Sequence, residues 1–168
     1  MPISPHFTSV YSKDWEINFI QCYPNGQLKY TELCNILQLT AGYHAELGGL
    51  SFSDMQLHQQ AWVLSRMRVE VIELPKWRDV VTVKTWIVDM QGSRSVRALE
   101  LYVGDKKMAS SLTYWVVLNT ELRKPEALAL PFEHFEIYPK NVPTEKSFAK
   151  INLHLETRFV KNKTVVLS

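Results

Sequence analysis

Cys22-Tyr23-Pro24-Asn25-Gly26-Gln27-Leu28 is a turn that runs straight into a long, largely apolar helical pattern closed by Gly48-Gly49. The head of a helix is a place where chemistry can be done. Its N–H groups are unpaired and carry the positive end of the dipole, so they can hold an oxyanion. An imidazole or carboxylate beside them can move a proton. The side chain at that place here is Gln27, whose amide does not exchange a proton near neutral pH, as a histidine could. No Asp precedes it in the loop, since the residues before Asn25 are Cys22, Tyr23 and Pro24. The turn has the shape of an active-site loop without its acid–base group.

The other reactive residue types are scattered. Cys22 and Cys34 could be nucleophiles, but neither has a His close in sequence, and the reading as inert structural thiols is favoured. They form no C-x-x-C pair, and the five His form no H-E-x-x-H, so no metal is expected. There is no Gly-rich phosphate loop and no G-x-S-x-G, which argues against nucleotide hydrolysis and a serine-hydrolase elbow. No cofactor is expected. His44 falls on the apolar stripe of the helical segment and reads as a core or rim histidine rather than a base.

The elements that must position these residues are legible from periodicity. Val10–Tyr11 and Trp15–Ile20 look like short extended pieces. From Gln27 onward Leu33, Ile36, Leu37, Thr40, Tyr43, His44 and Leu47 recur at steps of three and four, the signature of a helix. Leu28, Leu39, Ala41 and Ala45 lie off that stripe, so the helix is expected to be buried on more than one side. It would span about 30 Å. Ala61–Leu74 then shows strand alternation, with Val63, Met67, Val69 and Val71 on one face and Trp62, Leu64, Arg66, Arg68 and Glu70 largely on the other. Val80–Val88, Arg94–Val103 and Met108–Thr120 read as three further long strands, joined by the turns P-K-W-R-D, D-M-Q-G-S and G-D-K-K. Four such strands suggest an antiparallel meander. Leu122–Lys150 contains Pro125, Pro131, Pro139 and Pro143 and reads as a linker lying on a surface. I-N-L-H-L-E-T-R-F-V resumes strand alternation, as if a second unit begins there.

Composition bounds the class. The chain of 168 residues is 46% hydrophobic and 21% charged, the balance of a packed domain rather than a disordered segment. A net charge of +2 gives no reason to expect a nucleic-acid partner. No long uncharged apolar run is visible, so no membrane span is expected. The start Met1-Pro2-Ile3-Ser4 lacks a basic segment followed by an apolar one, and two cysteines are too few for a disulfide framework. A cytoplasmic, reducing location is the expectation.

A long buried helix followed by four long antiparallel strands is the order of an α+β hotdog fold, a curled antiparallel sheet wrapped around a central helix. The residues resemble the acyl-acyl-carrier-protein thioesterase family. The matching stretches are L-G-G-L-S-F and W-V-L-S-R-M-R-V-E-V-I-E-L-P-K-W-R-D-V-V-T-V-K-T-W within Leu47–Trp86, and S-S-L-T-Y-W-V-V-L-N-T-E-L-R-K-P over Ser110–Pro125. The resemblance implies two hotdog units in one chain, the first shaping the acyl groove. The second would carry the catalytic residues on a D-x-N-x-H loop and a later carboxylate. On that pattern residues 1–121 form the N-terminal hotdog, 122–150 the linker and 151–168 the first strands of the second unit, with no catalytic residue before Ser168. Asn25-Gly26-Gln27 becomes a structural repeat of the catalytic loop.

The implied function is hydrolysis of fatty acyl-carrier thioesters to free fatty acid and carrier. The expected partners are a fatty acyl thioester, the acyl carrier protein, and either a second copy in a homodimer or the second hotdog unit. If the sheet wraps the helix, Leu33, Leu37 and Thr40 are candidates for the acyl groove, sampling successive depths. Tyr43, Trp62, Trp86 and Trp115 are aromatic candidates for its walls, although aromatic residues on sheets are ordinarily core. Arg66, Arg68, Lys84, Arg94 and Arg97 could form a basic patch that steers an acidic carrier, Arg66, Arg68 and Arg94 foremost, or a solvated face laced with ion pairs. The rival readings are a non-catalytic acyl-binding or docking hotdog and a half that serves only to pack against its partner sheet.

Overall fold

The computed structural model describes residues 3–146 and 148. Strand β1 (Tyr11–Glu16) leads through a single 3-10 turn at Phe19–Gln21 to helices α1 (Tyr30–Leu47) and α2 (Phe52–Leu57). Four long strands follow, β2 (Gln60–Val71), β3 (Val80–Gln91), β4 (Arg94–Val103) and β5 (Lys106–Asn119), then a two-residue strand β6 (Lys124–Pro125). The strands form one antiparallel sheet in the order β1-β3-β4-β5-β2, with β6 also on β5. The sheet curls around α1 in a hotdog fold.

α1 begins three residues later than the periodicity suggests. Leu28 is committed to a different role. It is fully buried, its N–H donates to the Pro75 carbonyl across 2.7 Å, and it bridges Cys22. The helix stops at Gly48 and Gly49, the latter at φ 72°, a left-handed value that favours glycine. One face of α1 carries Leu33, Ile36, Leu37 and Ala41 onto Val81, Val83, Leu99 and Leu101 of β3 and β4. Thr40 is sealed on the same side. Its hydroxyl donates to Ile36 O and accepts from Trp15 Nε1 at 3.0 Å.

The expected meander holds for β3, β4 and β5, whose hairpins turn at Gly92 and Gly104, both at positive φ. It fails for β2, which pairs with β5 and not with β3. P-K-W-R-D is therefore no hairpin but a connection between the two sides of the curled sheet. It is pinned on the loop before α1, where Trp77 N–H donates to Gly26 O and Lys76 bridges Gln27. The alternation read for β2 also breaks. A bulge between Leu64 and Arg66 shifts the register. Downstream, Met67, Val69 and Val71 pack on the main core. Upstream the parity inverts, so Trp62 turns inward and Val63 is left exposed.

The proline-bearing segment after β5 is held closely to the sheet over its described part. Gln60 Nε2 donates to Glu126 and to Ala127 O, and Gln60 Oε1 accepts from Ala129 N. Ile137 lies alongside Ile87 on β3, just beyond Thr85, where the β1 pairing ends. Phe135 is buried with Leu50, Ile87 and Met90 at the C-terminal end of α1. The strand alternation read from residue 151 onward lies outside the described residues.

Candidate functional site

Ser51 opens α2 with a reciprocal cap. Its hydroxyl accepts from Asp54 N and donates to the Asp54 carboxylate at 2.6 Å. α1, α2 and the inner face of the sheet together line a cavity of about 230 Å³. Gln38, Ala41, Gly42 and Ala45 of α1 form one wall, and Phe52 and Met55 of α2 a second. The sheet contributes Trp62, Ile87, Met90, Ser95, Arg97 and Trp115, and Phe135 closes an end. The lining is mostly apolar, as an aliphatic ligand needs.

The polar exception is a buried pair. Arg97 on β4 lies inward because strand side chains alternate, and it shares the parity of the core residues Leu99 and Leu101. Its Nη1 donates to His44 Nδ1 at 2.7 Å and to Thr85 Oγ1 at 3.1 Å. A guanidinium can only donate, so Nδ1 of His44 accepts and its proton resides on Nε2, which donates to Thr8 O at 2.9 Å. The imidazole is stacked between Phe7 and Tyr11. Burial, together with the adjacent Arg97 charge, lowers its pKa to about 3, against an upward pull from the hydrogen bond to the Thr8 carbonyl. Burial also lowers Arg97 to about 10, leaving it cationic. His44 is thus neutral at physiological pH with both nitrogens engaged, and it is unsuited to act as a base.

The turn before α1 is equally occupied. Gln27 N–H donates to Asn25 Oδ1, and Asn25 Nδ2 donates to Gln27 Oε1 at 2.9 Å. The amide of Gln27 serves the turn. Cys22 and Cys34 are free thiols, half-buried, and burial raises Cys34 above the usual thiol range. Among the described residues no group of His, Cys, Asp and Glu could hold a metal ion.

The candidates read from the sequence divide sharply. Trp62 and Trp115 both line the cavity. Leu33, Leu37 and Thr40 do not. They face the sealed core, and the cavity touches the neighbouring face of α1 instead. Tyr43 is partly exposed and packs on Trp15 under Lys13. Trp86 faces the opposite side of the sheet, where it is buried with Val88, Ala98 and Leu112 and its Nε1 donates to Asn141 O. Arg66, Arg68 and Arg94 do share that outer face. Arg66 lies over Tyr114, Arg68 is paired with Glu70, and Arg94 approaches Asp89 at 3.6 Å. Arg97 leaves the basic patch altogether, since three residues along a strand from Arg94 reverses the face.

Ala41 and Ala45, which lie off the Leu33 stripe, border the cavity together with Gly42. Their clustering on one helical face was the available signal. Met55 and Phe52 belong to α2, a short helix that only the S-x-x-D spacing of Ser51 and Asp54 marks in the sequence.

A family model for the acyl-ACP thioesterase N-terminal domain matches residues 8–134. The chloroplastic palmitoyl-acyl carrier protein thioesterase of Arabidopsis thaliana is 30% identical over 125 residues, which is 68% of this chain and 30% of that protein. The chloroplastic oleoyl-acyl carrier protein thioesterase of Coriandrum sativum is 28% identical over 62% of this chain and 31% of its own length. The chain thus spans about a third of the length of these curated relatives. Among solved structures, an acyl-ACP thioesterase from Bacteroides thetaiotaomicron superposes with a TM-score of 0.76 at 26% identity, over 84% of this chain and 58% of that one. The 12:0-ACP thioesterase of Umbellularia californica shares the fold, with a TM-score of 0.64 at 21% identity over 71% of this chain and 46% of that one.

Proposed function

The chain belongs to the acyl-acyl-carrier-protein thioesterase family, and we propose that it supplies the acyl groove in the hydrolysis of fatty acyl-carrier thioesters to free fatty acid and carrier. One observation carries the reading: the apolar cavity walled by Ala41, Gly42, Ala45, Met55, Trp62 and Trp115. At about 230 Å³ it falls below the ~300–1,000 Å³ of sites that enclose a whole ligand, so it takes part of an alkyl chain. Each methylene buried there contributes about 0.8 kcal/mol.

Thioester hydrolysis also needs a base and an oxyanion site. His44 is neutral and doubly engaged, and Gln27 is held in its turn. We assign the acid–base residues to a second hotdog unit packed against this one. Residues 1–121 are then the groove-forming hotdog, 122–150 the connecting segment, and 151–168 the start of the second unit. In isolation a second copy takes that unit's place as a homodimer. Exposed Phe52, Leu57 and Val63 support such pairing. Arg66, Arg68 and Arg94 on the outer face are assigned to docking the acidic carrier. No helix among the described residues is long and apolar enough to cross a membrane, and we place the protein in the cytoplasm.

The test is a binding series. Acyl-carrier thioesters of graded chain length, titrated into the purified protein, should bind more tightly as the chain lengthens until the cavity is full. Affinity independent of length overturns the groove assignment. The second reading, a non-catalytic acyl-binding hotdog, is favoured by Gln27 at the loop position. It is separated by turnover: a protein carrying both units should hydrolyse these thioesters, and binding without turnover there selects the rival.

A further inference from the structure

Arg97 is a buried cation that no carboxylate among the described residues hydrogen-bonds or pairs with. It is 6% exposed, it lines the apolar cavity, and burial lowers its pKa. Its immediate partners, His44 and Thr85, are neutral. Asp54 of α2, an acid on a wall element, accepts from both the hydroxyl and the N–H of Ser51. A buried charge of this kind is costly unless something pairs with it.

The geometry says which partner fits. Both hydrogen bonds of Arg97 leave from Nη1. Among the described residues nothing accepts from its Nε–Nη2 edge. That edge is the planar fork that grips a carboxylate through two parallel N–H···O bonds. His44 cannot compete for the anion, because its lone pair points at Nη1 and its proton at Thr8. Ser95, two residues away on the same inward face, adds a hydroxyl to the same wall.

We propose that this cavity is a carboxylate site, in which Arg97 takes the carboxylate of an aliphatic chain through its Nε–Nη2 edge while the chain lies along Trp62, Met55 and Ala45 toward the mouth. The ligand enters carboxylate first, the reverse of a thioester held by its carrier. Two sources share this chemistry. One is a free fatty acid. The other is an acyl group with a carboxylate at its far end. The inference rests on the cavity being an aliphatic-chain site, and the test separates failure of the two.

Dodecanoate, monomethyl dodecanedioate, methyl dodecanoate and dodecanol are titrated at pH 7.5 into the 168-residue protein, against an environment-sensitive apolar probe. Dodecanoate or the monoester is expected to bind roughly tenfold or more tightly than dodecanol and methyl dodecanoate, as a charge-assisted bidentate pair should. The tighter of the two acids names the source. In Arg97→Lys, which keeps the charge and loses the fork, the advantage should shrink. In Arg97→Met it should vanish while methyl dodecanoate still binds. Equal binding of acid, ester and alcohol by the wild-type protein overturns the carboxylate site and leaves the aliphatic cavity standing. Binding of none of the four overturns both. The wild-type comparison decides even if a variant fails to fold.

Discussion

Arg97 Nη1 and His44 Nδ1 stand 2.7 Å apart and join the middle of the sheet to the last turns of α1. The contact fixes the imidazole as a neutral Nε2–H tautomer, held from the other side by Thr8. His44 is therefore an element of the fold whose neutrality has a pH-dependent consequence.

The folded pKa of His44 is about 3, against 6.5 for an unperturbed histidine. Below pH 6.5 the unfolded chain takes up a proton that the native chain refuses. Stability thus falls as pH drops from 6.5 toward 3 and is flat above, with a slope of up to about 1.4 kcal/mol per unit from this residue. The carboxylates of Glu70 and Glu73, held below their usual range by hydrogen bonds from Arg68 and Lys106, act only lower down. Urea unfolding between pH 5 and 6.5 should show the His44 slope, and His44→Gln should flatten it. An unchanged slope in that variant would refute the assignment.

Gly48 is the second tight place. Its φ of −86° suits any residue, so its requirement is space alone. A Cβ there would sit 2.2 Å from Cζ of Phe135. Gly48→Ala should cost about 1–3 kcal/mol as an overpacking change. Phe135→Ala opens the core for roughly 3–5 kcal/mol. The double variant should be less destabilised than the sum, because the methyl then fills space the ring vacated. Additive melting curves would mean the ring does not press on the helix end.

How far the sequence foretold this arrangement depended on what each signal measures. The α1 stripe of Leu33, Ile36, Leu37 and Thr40 was plain and located the buried face correctly as a face. Periodicity, however, reports burial and is silent on whether the burying partner is sheet or ligand, so it could not show that the cavity lies one step round at Ala41, Gly42 and Ala45. The inward turn of Trp62 depends on the bulge between Leu64 and Arg66, which has no Gly or Pro to announce it. Arg97 was legible by parity with Leu99 and Leu101, but charge outweighed parity in placing it at the surface. The β2–β5 pairing goes with a Pro75–Asp79 connection that is pinned on the loop before α1, a long-range relation that local patterns do not carry. The thiols and the inertness of Gln27 were read from residue chemistry alone, and the Asn25–Gln27 amide pair agrees with that reading.

Gln27→His is expected to leave the isolated chain without thioesterase turnover. The new imidazole would stand at the head of α1, but among the described residues no carboxylate is hydrogen-bonded to that turn to orient it. Losing the amide pair with Asn25 should lower stability by about 1 kcal/mol. Appreciable hydrolysis of acyl-carrier thioesters by this variant would show that the loop lacks only one group.

The cavity and the core face of α1 make opposite demands on substitution, and a pair of variants separates them. Gly42 lies at the rim of the cavity inside a helix, and a Cβ there meets nothing within 4 Å. Replacing it with leucine removes the backbone freedom of a helical glycine, a gain of roughly 0.5–1 kcal/mol. The added side chain narrows the mouth. Gly42→Leu should therefore keep or raise the melting temperature while weakening long acyl chains more than short ones. Leu37 is fully buried against the sheet. Leu37→Ala should cost about 2–5 kcal/mol through the void it leaves, with the relative affinities for long and short chains unchanged. Thermal unfolding and acyl-binding titrations of the two variants give four numbers. If Gly42→Leu leaves the length preference as it was, the alkyl chain does not pass between α1 and α2. If Leu37→Ala alters that preference, the core face of the helix touches ligand after all.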